Sequence, residues 1–267
     1  MQNEKNNVEE RTKILQNVIK GYLNQRVMDP TFETIEKDFN AIDRLGSVLI
    51  ILTVSSDAIN RKGSKFDEEH AKNMSYERFM DITSTLTNIA SSNCEQIKEN
   101  ELKELRGITW DLCSRRCLLN YLSRELQWVT VSILSASYIS SIVLLRSVFE
   151  LLIGIATRQT GSMTSRIRSI WFLSKNDKKR LSKLWEELCG WAHPYGNWVK
   201  NTCSVFMGYK PMYHQILCEN CVGKLEQITD FLLVVTTKKF KIGKKDIREE
   251  LAKHKVCLSR YPLFMGM

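Results

Sequence analysis

The sequence predicts an all-α protein, a multi-helix bundle, and two observations carry this prediction. The 267 residues include only four prolines and twelve glycines, fewer turn residues than an all-β or α/β protein of this length needs. Apolar residues recur every three or four positions over long stretches, which is the spacing of one helix face. With 43% hydrophobic and 26% charged residues, the chain can bury a sizeable core and is not expected to be extensively disordered.

Residues 1–100 are predicted to form an N-terminal helical scaffold. Helices are expected over 8–27, ended by the Asp29-Pro30 step, over 31–60, and over about 67–99. Between the last two, Arg61-Lys62-Gly63-Ser64-Lys65 is predicted to be an exposed turn. No pattern in this part indicates chemistry.

Residues 101–241 are predicted to form the core bundle, and 242–267 a basic C-terminal tail helix, although all three parts can be one domain. Residues 108–153 contain neither glycine nor proline. A single helix of that length would extend about 69 Å, so a break is expected between Arg124 and Ser137. The next predicted elements are a loop over 157–164, a helix over 175–192 capped by Ser174 and Asp177, and helices over 212–241 and 244–256.

The cellular location is inferred from what the sequence lacks. The polar, acidic N-terminus resembles no secretory signal, so a cytoplasmic protein is expected. The segment 129–156 is apolar enough to suggest a membrane span, but serines, Arg146 and Glu150 dilute it. A buried core helix is therefore favoured, and no membrane partner is expected. The eight cysteines are expected to be reduced thiols packed as small hydrophobes.

Arg146 and Glu150 are the most unusual charged residues, because they lie in the most apolar predicted helix. They are four residues apart and therefore share one helix face. Ionised side chains are rarely buried unless they are paired. Two interpretations stay open: a structural network that fixes the helix register, or a ligand or catalytic site.

His193 is the second candidate for chemistry. It precedes Pro194 and therefore stands at the end of the predicted helix, where the helix dipole favours the cationic imidazole. It could pair with Glu150 or contact a phosphate. A purely structural hydrogen-bonding role is the alternative.

The net charge of +9 is concentrated in two segments. Residues 166–183 and 238–260 each carry a net charge of +6, and the rest of the chain sums to −3. Such segments suit phosphate-bearing partners, and solvated helix faces are the alternative. Four tryptophans that flank the first segment could stack on bases, although helix packing also explains them. The candidate nucleic-acid-binding residues are Arg166, Arg168, Lys178, Lys179, Arg180, Lys244 and Lys245.

Two segments resemble a known superfamily. They are Leu144-Leu145-Arg146-Ser147-Val148-Phe149-Glu150 and the Trp-x-x-Leu-Cys-x-x-x-His-Pro stretch that begins at Trp185. Over residues 101–235 the chain is similar to HEPN proteins (higher eukaryotes and prokaryotes nucleotide-binding domains). The resemblance implies a helical bundle with an N-terminal extension, homodimerisation, and a link to RNA processing, toxin–antitoxin or antiviral systems. Ribonuclease members carry Arg-(four to six residues)-His on one helix, whereas the arginine nearest upstream of His193 is Arg180.

The remaining signals concern metals and cofactors. His214, Cys218 and Cys221 have i, i+4, i+7 spacing and could supply three metal ligands, but no second pair with zinc spacing exists. Packed thiols are the alternative. The sequence contains no P-loop or dinucleotide fingerprint, so no cofactor is implied.

Two functional hypotheses follow. In the first, a HEPN-like protein binds nucleotide or RNA and perhaps cleaves RNA, with His193 as general acid or base, Arg146 stabilising phosphate charge and Glu150 completing the site. In the second, a non-enzymatic dimeric regulator docks nucleic acid or an acidic partner through its basic helices. The sequence does not decide whether the protein is an enzyme.

Overall fold

The computed structural model describes residues 11, 13, 38–73, 124–157, 161–192 and 214–266. All regular secondary structure in these residues is helical, which confirms the predicted all-α bundle. The elements are α1 (Phe39–Asn73), α2 (124–134), α3 (Tyr138–Thr157), α4 (Met163–Ser169), α5 (Lys175–Ala192), α6 (Gln215–Lys239), α7 (Lys244–Lys253), a 3-10 turn (Leu258–Arg260) and α8 (Pro262–Met265).

Most predicted boundaries in the described residues are confirmed. The chain breaks between α2 and α3, inside the interval predicted from helix length. At the start of α5 the Ser174 hydroxyl accepts from the Asp177 N–H at 3.2 Å and donates to the Asp177 carboxylate at 2.6 Å. The predicted helices over 8–27 and 67–99 lie mostly outside the described residues.

The predicted turn at Arg61–Lys65 is wrong, because α1 continues to Asn73. A glycine inside a helix costs only about 1 kcal/mol relative to alanine. That cost does not end a helix when the neighbouring residues, here arginine and lysines, are good helix formers.

Helix α6 is the centre of the bundle. It packs against α1, α3 and α8, and every residue from Ile228 to Thr237 is buried. Buried side chains from all three predicted segments of the chain join one hydrophobic core around it. The boundaries of those segments stay a prediction.

Helix α3 runs parallel to α6. Before α6 begins, the His214 N–H donates to the Tyr138 hydroxyl at the start of α3, at 3.1 Å. Further along, the rings of Phe149 and Phe231 pack with their centroids 6.1 Å apart. By length and composition α3 could cross a membrane, and half of its most apolar window is buried inside the fold.

Helix α5 runs antiparallel to α6. Glu187, late in α5, accepts a 2.6 Å hydrogen bond from Lys224, early in α6. Arg180, early in α5, lies close enough to Asp230, late in α6, to lower the pKa of that carboxyl. The first turns of α5 therefore lie at the C-terminal end of α6.

Two charged residues of α6 are buried by pairing with other helices. Lys224, 6% exposed, binds Glu187 of α5, and Glu226, 10% exposed, accepts from Arg44 of α1 at 2.5 Å. Removing one partner of such a pair would leave an uncompensated charge, which costs about 3–5 kcal/mol. These pairs therefore fix where α5 and α1 lie along α6.

Asp230 is the third buried charge of α6, and it caps α8. Its two carboxylate oxygens accept from the N–H groups of Leu263 and Phe264, each at 2.9 Å. Burial raises the pKa of Asp230 to about 6, although the two backbone hydrogen bonds lower it. One carboxylate thus attaches the C-terminal helix to the central one.

Three described helices end in a left-handed residue that is not glycine, and one of these residues is Lys241 after α6, with φ 53°. Ala136 follows α2 with φ 56°, and Lys255 follows α7 with φ 54°. Both ends have the Schellman pattern, in which two N–H groups donate back to the last turn. The bonds after α2 are Ala136 N to Ile133 O at 3.0 Å and Ser137 N to Ser132 O at 2.8 Å, and those after α7 are Lys255 N to Ala252 O at 2.9 Å and Val256 N to Leu251 O at 3.1 Å.

Ala136→Gly is expected to raise the free energy of unfolding by about 0.5–1 kcal/mol, because glycine adopts positive φ without the Cβ clash that alanine suffers. Urea denaturation measures the change. Ala252→Gly, inside α7, is the control and is expected to lower stability by about 1 kcal/mol. Equal losses in both variants would contradict the assignment.

The raised pKa of Asp230 gives stability a defined dependence on pH. Between its usual pKa and about 6 the folded state binds more protons than the unfolded state. The free energy of unfolding therefore contains a contribution of at most about 3 kcal/mol, which is complete below pH ~4 and lost as pH rises through ~6.

In Asp230→Asn the dependence of the free energy of unfolding on pH between about 4 and 6 is expected to disappear. One of the two backbone hydrogen bonds is also lost, at a cost of about 1–3 kcal/mol. Denaturation of both proteins from pH 4 to 7 separates the two effects. Parallel pH curves for the two proteins would overturn the role given to Asp230.

Candidate functional site

Arg146 and Glu150 do not form the buried pair that the sequence suggested. Arg146 is half-buried and its guanidinium lies 5.2 Å from the centre of the Trp185 ring of α5. The Glu150 side chain is 52% exposed. Both residues are described, and no hydrogen bond or ion pair joins them. They share a helix face at its border with solvent, so each finds a partner on a different neighbouring helix.

The partner of Glu150 is Arg166 of α4. The Arg166 side chain is only 15% exposed; its Nη1 lies 4.0 Å from Glu150 Oε1, and its Nη2 donates to the Glu150 carbonyl at 3.3 Å. Gly154 leaves room for this approach, because a Cβ there would lie 2.9 Å from Arg166 Nη2 and would displace the guanidinium. Arg166 therefore binds between helices and is not part of the exposed basic surface.

Cys189 lies near both α3 charges. Burial raises the pKa of its thiol most, Arg146 lowers it and Glu150 raises it further. Two of the three predicted catalytic residues thus lie near Cys189 of α5. His193 lies outside the described residues, so its meeting with Arg146 and Glu150 stays a prediction.

A second candidate site is the turn between α4 and α5. Trp171 is 80% exposed there, and its ring lies nearly perpendicular to that of Phe172, with ring centroids 5.5 Å apart. Lys178 fixes the turn by donating to the Arg168 carbonyl at 2.9 Å. The α4–α5 surface is defined as the exposed residues Arg168, Trp171, Lys175, Lys179 and Arg180.

The sequence left two explanations open for the tryptophans, base stacking and helix packing. Helix packing accounts for some of the described tryptophans but not for Trp171. Packing explains Trp185, which stacks on Phe149 at 6.3 Å, and Trp191, which packs against the core. It does not explain Trp171, which falls between two helices and belongs to neither apolar face. Trp198 lies outside the described residues.

The two candidate lysines of α7 have different surroundings. Lys244 donates to the Met265 carbonyl at 3.0 Å and lies 5.5 Å from the Phe264 ring, so it helps hold α8. Lys245 is 85% exposed and lies 3.7 Å from Glu249.

Within the part of the chain that the structure describes, the three candidate metal ligands are not grouped around a common site. The His214 Nδ1 accepts from the Leu217 N–H at 3.4 Å and thereby caps α6. Cys218 and Cys221 are buried, and burial raises the pKa of each thiol to about 12, so both stay protonated at neutral pH. Among the described residues no three His, Cys, Asp or Glu side chains are grouped to hold a metal ion.

Comparison with known proteins adds no family. No protein-family model, curated protein or solved structure matches the chain. The similarity to HEPN proteins rests on the two short segments at 144–150 and 185–194, and it stays a prediction.

Glu150→Ala is expected to lower the free energy of unfolding by about 1 kcal/mol, because the mostly buried Arg166 loses its nearest carboxylate. Glu186→Ala is the matched control, since Glu186 is an exposed glutamate of α5. Its loss should stay within about 0.5 kcal/mol. Equal losses in the two variants would show that Glu150 does not hold α4 in place.

Proposed function

We propose that the protein binds single-stranded RNA through the α4–α5 surface. The observation that carries the proposal is Trp171, whose indole is 80% exposed in the turn between two helices that carry exposed cations. Proteins that bind single strands combine a basic surface that follows the phosphates with aromatic rings on which bases stack. The α4–α5 surface supplies both elements.

The apolar faces of α4 and α5 favour nucleic acid over a membrane surface. An interfacial helix inserts its apolar face into the bilayer. Here those faces are buried in the bundle, through Met163 and Ile167 of α4 and Leu181, Leu184 and Leu188 of α5. One exposed indole offers little area for insertion but is sufficient to stack on one base.

Unpaired bases favour a single strand, because a duplex hides the base faces on which an indole could stack. The resemblance to HEPN proteins favours RNA over DNA. No base preference is expected, since stacking is tolerant of base identity.

The proposal assigns Arg146 and Glu150 a positioning role. Arg146 contacts α5 through Trp185, and Glu150 contacts α4 through Arg166. Together they attach to α3 the two helices that carry the α4–α5 surface. Cleavage is therefore not part of the proposal.

Trp171→Ala is expected to weaken binding of a labelled single-stranded RNA of about 20 nucleotides by about tenfold or more, because stacking contributes ~1–3 kcal/mol per base. Fluorescence anisotropy measures the affinity. Trp171→Phe keeps an aromatic face and should lose less. Stability should change little, since the side chain is mostly exposed.

Ile216→Ala is the matched control. Ile216 is 64% exposed at the opposite end of α6, and its loss should leave affinity unchanged. Unchanged affinity in Trp171→Ala, or preferential binding to anionic vesicles, would overturn the proposal. Cleavage products that vanish in Arg146→Ala and His193→Ala would instead support the ribonuclease hypothesis.

A further inference from the structure

A groove of about 420 Å³ lies where α7 packs against α1. Val54 and Ala58, one turn apart on α1, and Ile247 of α7 line it and are buried, so they form an apolar floor. Ile242, in the connection between α6 and α7, lines the groove as well and is half-buried. Concave sites that bind small molecules have volumes of about 300–1,000 Å³ and mostly apolar walls, and this groove falls within that range.

The acids that line the groove have compensating groups within α7. Glu250 accepts from Lys253 at 2.7 Å, and Glu249 lies 3.7 Å from Lys245. Asp246 lies in the first turn of α7, where the helix dipole favours a carboxylate. The negative charge on this side of the groove is therefore offset before any ligand arrives.

Two cations that line the groove have no such partner. Arg61 lies on the same face of α1 as the apolar floor, and Lys241 lies in the connection after α6. Both side chains are exposed, and neither forms a hydrogen bond or an ion pair with another described residue. The pKa of Glu250 is lowered mainly by its hydrogen bond from Lys253 and least by Arg61, so this carboxylate is not the partner of Arg61. The groove thus combines an apolar floor with two available cations.

The lining favours an aliphatic anion over an aromatic one. Among the described residues that line the groove none is aromatic, so a flat ring would find no ring on which to stack. An alkyl chain needs no such partner and gains from the burial of each methylene. A carboxylate at its end would accept charge-assisted hydrogen bonds from a guanidinium and an ammonium group.

We propose that the groove between α1 and α7 binds a free aliphatic carboxylate, with the alkyl chain on the apolar floor and the carboxylate between Arg61 and Lys241. A free molecule is favoured over a bilayer, because a membrane surface takes up protruding apolar faces and this floor is recessed. The site shares no residue with the α4–α5 surface. The inference is therefore independent of RNA binding and goes beyond it.

The test is titration calorimetry with hexanoate, octanoate and decanoate, each below its critical micelle concentration. Affinity should rise about three- to tenfold for each pair of added methylenes, which is less than full burial would give because the groove is open. Decylammonium has the same chain as decanoate and the opposite charge, and it should bind about tenfold more weakly. Equal affinity for the two ligands would overturn the inference.

Arg61→Gln combined with Lys241→Gln removes both cations and keeps polar side chains of similar size. This variant should bind every carboxylate about three- to tenfold more weakly, with an unchanged gain per methylene. Lys238→Gln combined with Arg248→Gln is the matched control, because it removes two exposed cations that do not line the groove. Equal weakening in the two variants would show a general charge effect and overturn the inference.

Ala58→Met tests the apolar floor without changing charge. The longer side chain should occupy part of the groove, so that decanoate loses more affinity than hexanoate and the gain per methylene falls. Urea denaturation checks that the variant is folded. An unchanged gain per methylene in folded Ala58→Met would overturn the inference, as would tighter binding of the wild type to anionic vesicles than to decanoate.

The inference and the proposed function can fail separately. RNA affinity should be unchanged in Arg61→Gln combined with Lys241→Gln, and decanoate affinity should be unchanged in Trp171→Ala. Loss of RNA binding in the first variant, with decanoate binding retained, would assign these cations to RNA and overturn this inference alone. Unchanged RNA binding in Trp171→Ala would overturn the proposed function and leave the groove site standing.

Discussion

Helix α6 has three charged side chains that are buried in the centre of the bundle. Each of them makes its polar contacts with a different element. Lys224 meets Glu187 of α5, Glu226 meets Arg44 of α1, and Asp230 meets backbone N–H groups of α8. Hydrophobic burial is non-directional, so it does not specify how far one helix is shifted along another. A buried charge permits only the register in which its partner reaches it. The three contacts therefore set the arrangement on which the remaining packing depends.

This arrangement holds in place both helices that carry the α4–α5 surface. Helix α5 is held to α6 by Glu187 and to α3 by the contact of Trp185 with Arg146. Helix α4 is held to α3 by Arg166. The turn between them is short and joins two helices that are each attached to α3.

The sequence predicts local features here and misses contacts between distant elements. The cap formed by Ser174 and Asp177 involves neighbours in sequence and is predicted correctly. The break before α3 follows from helix length, but its position at Ala136 does not, because alanine is not a residue that usually marks a turn. Spacing places Arg146 and Glu150 on one face and cannot reveal partners on other helices. The same limit hides the burial of charge in α6 and the exposure of Trp171.

The helix dipole accounts for the positions of some cations in the two basic segments and opposes others. A helix dipole stabilises cations in the last turn, so it accounts for Arg166 and Arg168 of α4 and for Lys238 and Lys239 of α6. It opposes cations in the first turn, where α5 has Lys175 and α7 has Lys244 and Lys245, and Asp177 and Asp246 in the same turns offset part of that cost. Each lysine costs about 0.3–1 kcal/mol there, and gathering them at one end adds self-repulsion. Solubility does not require that placement, because the same charges could be spread over the surface. Contacts within the protein offset part of both costs, since Lys244 donates to the Met265 carbonyl and Lys245 lies 3.7 Å from Glu249.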